Sequence, residues 1–189
     1  ATLNFDSFSL TDSGTYMGIY TAGSLNPDIY VAGIKSIEVQ EKSISSISLE
    51  TAPQTTYQIG DNINTNNAKI TLNYIDSTTK TIDLTSDMIT NFTTNTAGVK
   101  TMTVTYKDRT LQIDYLVLDN LNTINAKYGN TLSDVQLPTS EYGTYTFNDP
   151  ETTSVGNIGT RTFKATFTPN DSKYTTLTNI DISINVEKA

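Results

Sequence analysis

The segment Gly98-Val-Lys-Thr-Met-Thr-Val-Thr-Tyr106 returns 61 positions later as Gly159-Thr-Arg-Thr-Phe-Lys-Ala-Thr-Phe167. Each copy is a glycine followed by alternating side chains that end on an aromatic. Alternation is the two-residue period of a half-buried β-strand. Self-similarity at a fixed spacing predicts one small domain copied in tandem. The 189 residues are therefore read as a string of small β-sandwiches.

Residues 44–119 read as a complete unit of about seven strands separated by turn residues. Ile47–Pro53 alternates and stops at a proline, Ala68–Tyr74 places Ile70, Leu72 and Tyr74 on one side, and Thr81–Leu84 resumes after the Asp76–Thr79 turn. Met88–Phe92 is a short apolar insert, and Lys107-Asp108 turns the 98–106 strand into Leu111–Val117. Residues 120–189 are expected to repeat this plan. Tyr128-Gly129 stands roughly where Tyr57 and Gly60 stood, Val135-Gln-Leu-Pro138 ends a strand, Tyr142–Phe147 forms another, and Ile180–Val186 closes the unit with apolar residues at every second position. Residues 1–43 read as the C-terminal part of an upstream β domain, or as a linker. Phe5, Phe8 and Leu10 precede Asp12-Ser-Gly-Thr-Tyr16, a pattern like the corner in which a tyrosine hydroxyl bonds back to the chain. The chain opens in strand-like sequence, so an upstream segment is expected to complete this piece.

Composition narrows the chemistry. Cysteine, histidine and tryptophan are absent. No disulfide, thiolate nucleophile, histidine base or Cys/His zinc site can form. Twelve basic against twenty acidic residues give a net charge of −8, which argues against nucleic acid and anionic membranes as partners. No apolar run of about 20 residues is present for membrane insertion.

Tyr57-Gln-Ile-Gly-Asp61, Ile70–Lys80, Asp83-Leu-Thr85 and Asn95–Tyr106 together resemble the group 3 bacterial immunoglobulin-like domain. Ala126–Pro138, Val155–Pro169 and Tyr174–Ile182 resemble modules at the C-terminal end of Gram-positive surface proteins. The resemblance covers about three quarters of the chain. It implies an all-β fold of tandem immunoglobulin-like β-sandwiches at 44–119 and 120–189. It also implies a non-catalytic spacer, stalk or accessory module at the bacterial cell surface or in a secreted adhesin, S-layer protein or polysaccharide-acting enzyme. The family brings no shared catalytic residues. The partners expected are other domains of the parent protein and the upstream fragment.

Several candidate sites stand beside plainer readings. Tyr142, Tyr145 and Tyr174 form the expected exposed aromatic set for a glycan or a cell-surface protein; each is otherwise a packing residue with a polar handle. Gripping a partner strand at a sheet edge is a further binding mode. Asp119-Asn-Leu-Asn122 is the best local cluster for an interdomain calcium ion, which needs six to eight oxygens; otherwise it is a solvated linker. Lys127 with Asn179 or Asn185 is the candidate for an isopeptide staple. Paired carboxylates for sugar cleavage would come from Asp6, Asp12, Asp76, Asp83, Asp87, Asp114, Asp134, Asp149 or Asp171, which mostly read as turn or solvent-face residues.

Overall fold

The computed structural model describes residues 14–21, 32–39 and 42–189, with side chains from Lys42 onward. Among the described residues the regular secondary structure is nearly all strand, with two single 3-10 turns. Strands β1 (Gly14–Thr21) and β2 (Ala32–Val39) form an antiparallel hairpin with Gly14 opposite Val39. The expected strand around Phe5, Phe8 and Leu10, the Tyr16 hydroxyl, Asp6 and Asp12 lie outside the described residues.

Seven strands build the first unit: β3 (Ile44–Thr51), β4 (Thr56–Gln58), β5 (Lys69–Tyr74), β6 (Thr79–Asp83), β7 (Ile89–Thr90), β8 (Gly98–Tyr106) and β9 (Arg109–Leu118). They form two sheets, β3–β5–β6 and β4–β9–β8–β7, packed as an immunoglobulin-like sandwich. Pro53 falls between β3 and β4, where the chain leaves one sheet for the other; proline has no N–H to give a ladder. Alternation supplies the core. Ile70 and Leu72 from β5 meet Met102 and Val104 from β8, and Ile113, Tyr115 and Val117 from β9. Each such aliphatic side chain contributes roughly 1.5–3 kcal/mol on burial. Tyr57, Phe92 and Tyr115 pack with ring centroids 4.9–5.9 Å apart. The Tyr115 hydroxyl donates to Thr93 O at 2.9 Å and accepts from Thr93 N at 2.8 Å, which anchors the segment after β7. β3 departs from strict alternation. Its register with β5 shifts twice, so the buried residues are Ile44 and Ile47, three apart, while Leu49 is exposed.

The second unit contains β10 (Ile124–Lys127), β11 (Gly143–Phe147), β12 (Gly159–Pro169) and β13 (Leu177–Glu187) in one sheet of order β10–β13–β12–β11. This is the order of the β4–β9–β8–β7 sheet, and β10 runs parallel to β13 as β4 does to β9. The closing strand behaves as its alternation requires: Ile180, Ile182, Ile184 and Val186 are all buried. The opposite layer differs from the expected second sheet. Val135-Gln-Leu-Pro138 is not a strand. A 3-10 turn at Leu132–Asp134 and extended loops cover the sheet instead. Leu132 and Val135 are both buried, and a spacing of three is the spacing at which 3-10 side chains eclipse. Asp134 pins this cover by accepting from Thr131 N at 2.8 Å and Thr131 Oγ1 at 3.2 Å. The Thr131 backbone bond first, and its hydroxyl after, hold the Asp134 carboxyl below the usual range.

The repeat is exact in one turn. The Gln58 N–H donates to the Asp61 carboxylate at 2.7 Å across Gly60 (φ +92°), and the Lys127 N–H donates to the Asn130 side chain at 2.7 Å across Gly129 (φ +95°). Gly129 therefore matches Gly60 as expected. Tyr128 does not match Tyr57: it sits in the turn, beyond the end of β10, and is exposed, whereas Tyr57 is buried in β4. The hairpins repeat as well. Gly14 faces Val39, Gly98 faces Val117 and Gly159 faces Val186.

Candidate functional site: the joint between the units

The site begins with the alternation of β9. Tyr115 and Val117 point into the first core, and Leu116 and Leu118 point the other way. Side chains on an outward face would normally meet water. Here Leu116 is 0% and Leu118 4% exposed, because both belong to the core of the second unit. One strand thus serves two cores, and only residues 119–123 separate it from β10.

A loop of the second unit closes the joint from the other side. Gly98 and Gly159 stand 61 positions apart, whereas the facing Val117 and Val186 stand 69 apart, so the second hairpin carries eight more residues than the first. Five of the eight lie in the 170–176 loop between β12 and β13, which reaches back to the first unit, and the rest lengthen the two strands. The Thr55 and Thr56 N–H groups donate to Thr175 Oγ1 at 3.0 and 3.2 Å. The Thr175 N–H donates to Thr55 Oγ1 at 2.9 Å, and the Thr55 hydroxyl donates onward to Lys173 O at 3.0 Å. Thr55 O in turn accepts from Leu116 N at 2.8 Å. Every polar atom of Thr55 is engaged, as a residue 1% exposed requires. The neighbouring Thr56 hydroxyl is buried without a hydrogen-bond partner among the described residues. Lys173 Nζ lies 3.4 Å from Asp114 Oδ2 and 3.8 Å from Asp171 Oδ2. The Thr101 hydroxyl foremost, at 2.8 Å, and Lys173 lower the Asp114 pKa.

Beside this latch the joint forms a groove of about 680 Å³, walled by both units. Ala97 and Gly98 contribute from the first unit, the 117–124 segment runs along it, and Gln136, Pro138 through Tyr142 and Tyr145 contribute from the second. Tyr142 and Tyr145, expected as ligand-facing aromatics, line it together and are half-buried. One side of Tyr145 rests on Phe167 at 4.8 Å between centroids. Burial first, and the Asp119 charge second, raise the Tyr145 pKa; interaction with the Glu141 carboxylate raises that of Tyr142. Gly143 sets the position of both. A Cβ there would lie 2.6 Å from Phe167 Cζ and closer still to the Thr168 carbonyl, so only glycine lets β11 approach β12 at this point. Tyr174 does not join them. It is 8% exposed and belongs to the second core, with Lys173 5.0 Å from its ring centre.

The other sequence candidates fall in separate places. Asp119 lines the groove and accepts from Asn120 N at 2.8 Å, and Glu141 lines it too; no cluster of three or more His, Cys, Asp or Glu placed to hold a metal occurs among the described residues. Asn179 engages Asn148 at 3.3 Å, and Asn185 engages Asn125 at 3.3 Å and Glu187 at 3.4 Å, so both amides considered for a staple to Lys127 have other partners. Asp76 pairs with Lys42 at 2.7 Å and Asp83 with Lys69 at 2.6 Å. The Lys42 bond first, then those from Thr78, lower the Asp76 pKa to about 2. Thr55, Thr175 and Leu116 were not singled out by sequence reasoning, although the step from a 61- to a 69-residue offset marks the loop that makes the latch.

No curated protein was found to match the chain. Residues 50–117, the body of the first sandwich, match the family model of the bacterial Ig-like domain (group 3).

Proposed function

We propose that the chain is a non-catalytic extracellular module of a bacterial surface or secreted protein, and that it acts as a stiff spacer. The observation that supports this best is the joint. A linker of five residues, a shared strand and four hydrogen bonds between Thr55–Thr56 and Lys173–Thr175 leave the two units little freedom to swing. The family match at 50–117 supports the bacterial surface setting. Among the described residues no helix is long and apolar enough to cross a membrane.

The strand order suits a load-bearing part. β4, near the start of the first unit, runs parallel to β9 at its end, and β10 stands in the same relation to β13. Pulling the ends of a unit apart shears those ladders, so their hydrogen bonds are loaded together rather than one at a time. The hairpin β1–β2 is read as the closing hairpin of a preceding unit of the same plan, on the strength of the Gly14–Val39 register. Single-molecule pulling from the two ends tests the proposal. The expected trace has discrete unfolding peaks, the first sandwich releasing about 250 Å of chain at roughly 3.3–3.6 Å per residue. Smooth extension at low force would contradict a load-bearing role.

A further inference from the structure

We infer that the groove at the joint is a binding site for a neutral oligosaccharide. This goes beyond the spacer reading, because a stiff arm needs no concave site. The volume, about 680 Å³, lies in the range of roughly 300–1,000 Å³ found for ligand clefts. The lining decides the class of ligand. Tyr142 and Tyr145 offer ring surface for the C–H face of a pyranose. Asn120 and Gln136 carry both donors and acceptors, and Asp119 and Glu141 accept from paired hydroxyls. Sugar hydroxyls, which donate and accept, match this mixture. Among the described residues no Lys or Arg lines the groove, and the chain carries a net charge of −8, so an anionic glycan is repelled. A cationic peptide could also use the two carboxylates, and oligolysine in the test below separates it from a sugar.

The groove also explains why its aromatics sit where they do. Tyr145 is braced by Phe167 and both tyrosines are fixed by the tight approach at Gly143, so little side-chain freedom is lost on binding. Its walls come from two units, so the latch keeps the site assembled.

The test uses the full chain against an array of neutral oligosaccharides (gluco-, manno- and N-acetylated chito-series), with polygalacturonate and oligolysine alongside, followed by calorimetry on any hit. The expected result is binding of a neutral series and none of the two charged polymers. Tyr142→Ala weakens it at least tenfold, and Asn120→Ala severalfold, with an unchanged melting temperature. Because Tyr145→Ala removes a packed ring, Tyr145→Phe serves in its place. Amide chemical-shift changes on adding the bound sugar are expected at Gly98, 118–124 and 139–142, a readout that needs no variant. Three results would overturn the inference: no neutral sugar binds, oligolysine binds instead, or the shifts fall outside the groove. The spacer proposal survives any of these, since the pulling trace does not depend on a ligand.

Discussion

The two units cover the same four-stranded sheet with different material. In the first, a three-stranded sheet lies across β4–β9–β8–β7 and supplies Ile47, Ile70 and Leu72 to the core. In the second, a 3-10 turn and loops lie across β10–β13–β12–β11, and part of the cover, Leu116 and Leu118, is borrowed from the first unit. The difference teaches that the joint is part of the second unit's core rather than a tether between finished domains. A borrowed core has a mechanical consequence: the second unit cannot swing away without exposing its own leucines to water.

The largest effect expected from this asymmetry is on the isolated halves. A fragment covering 119–189 lacks both leucines. Deletions of that kind cost about 2–5 kcal/mol each, against a total of about 5–15 kcal/mol for a whole domain. Circular dichroism and hydrogen exchange should find 119–189 unfolded or barely protected, and 42–118 folded. Equal stability of the two fragments would break the comparison.

Neighbouring substitutions in β9 sharpen it. Leu116→Ala should cost about 2–5 kcal/mol and reduce amide protection chiefly in the second unit. Val117→Ala, one residue on, should cost less and act chiefly on the first. If both variants loosen the same unit, β9 does not serve two cores.

The latch can be read through two identical chemical changes of opposite expected sign. Thr175→Val leaves the Thr55 and Thr56 N–H groups buried without an acceptor, at about 1–3 kcal/mol. Thr56→Val removes a hydroxyl that has no partner among the described residues and should be neutral or stabilising in denaturant titrations. A matching loss in both would mean that the hydrogen bonds of the joint do not hold it.

Much of this was legible in the sequence. Strand alternation located β5, β8, β9 and the buried face of β13, because a sheet with one wet side leaves a two-residue pattern, whereas β4 and β7, of three and two residues, are too short to show a period. Glycines marked the repeated turns, since Gly60 and Gly129 occupy positive φ. The layer over the second sheet was not legible as what it is. Val135 and Leu137 look like a strand when read in twos, and the capping by Asp134 that makes a turn of the residues before them is local side-chain chemistry. The joint was only half legible. Tyr142 and Tyr145 were found as a pair, but Tyr174, three residues beyond Asp171 and next to an exposed lysine, looked like surface and is core. Leu116 carries no mark in the sequence that its outward face is covered, because burial by a second unit is a tertiary fact.

An effect confined to high pH concerns the first core alone and has a defined sign. Burial foremost raises the Tyr57 pKa from 10.0 to about 12. The unfolded chain therefore releases this proton first, and stability that is complete below pH ~10 declines as pH rises towards about 12. Tyr57→Phe should flatten that alkaline limb of an unfolding-versus-pH curve. It also gives up the bond to Gln54 O, at about 1 kcal/mol.

The central claim is that the joint holds the two units in one arrangement. The chain has no cysteine, so nitroxide labels can be placed at will on exposed positions of each unit, Lys80→Cys on β6 and Thr162→Cys on β12. Electron–electron double resonance on the doubly labelled chain should give a single narrow distance distribution, which broadens when Thr175→Val is added. A broad or two-peaked distribution in the chain with its latch intact would contradict the account.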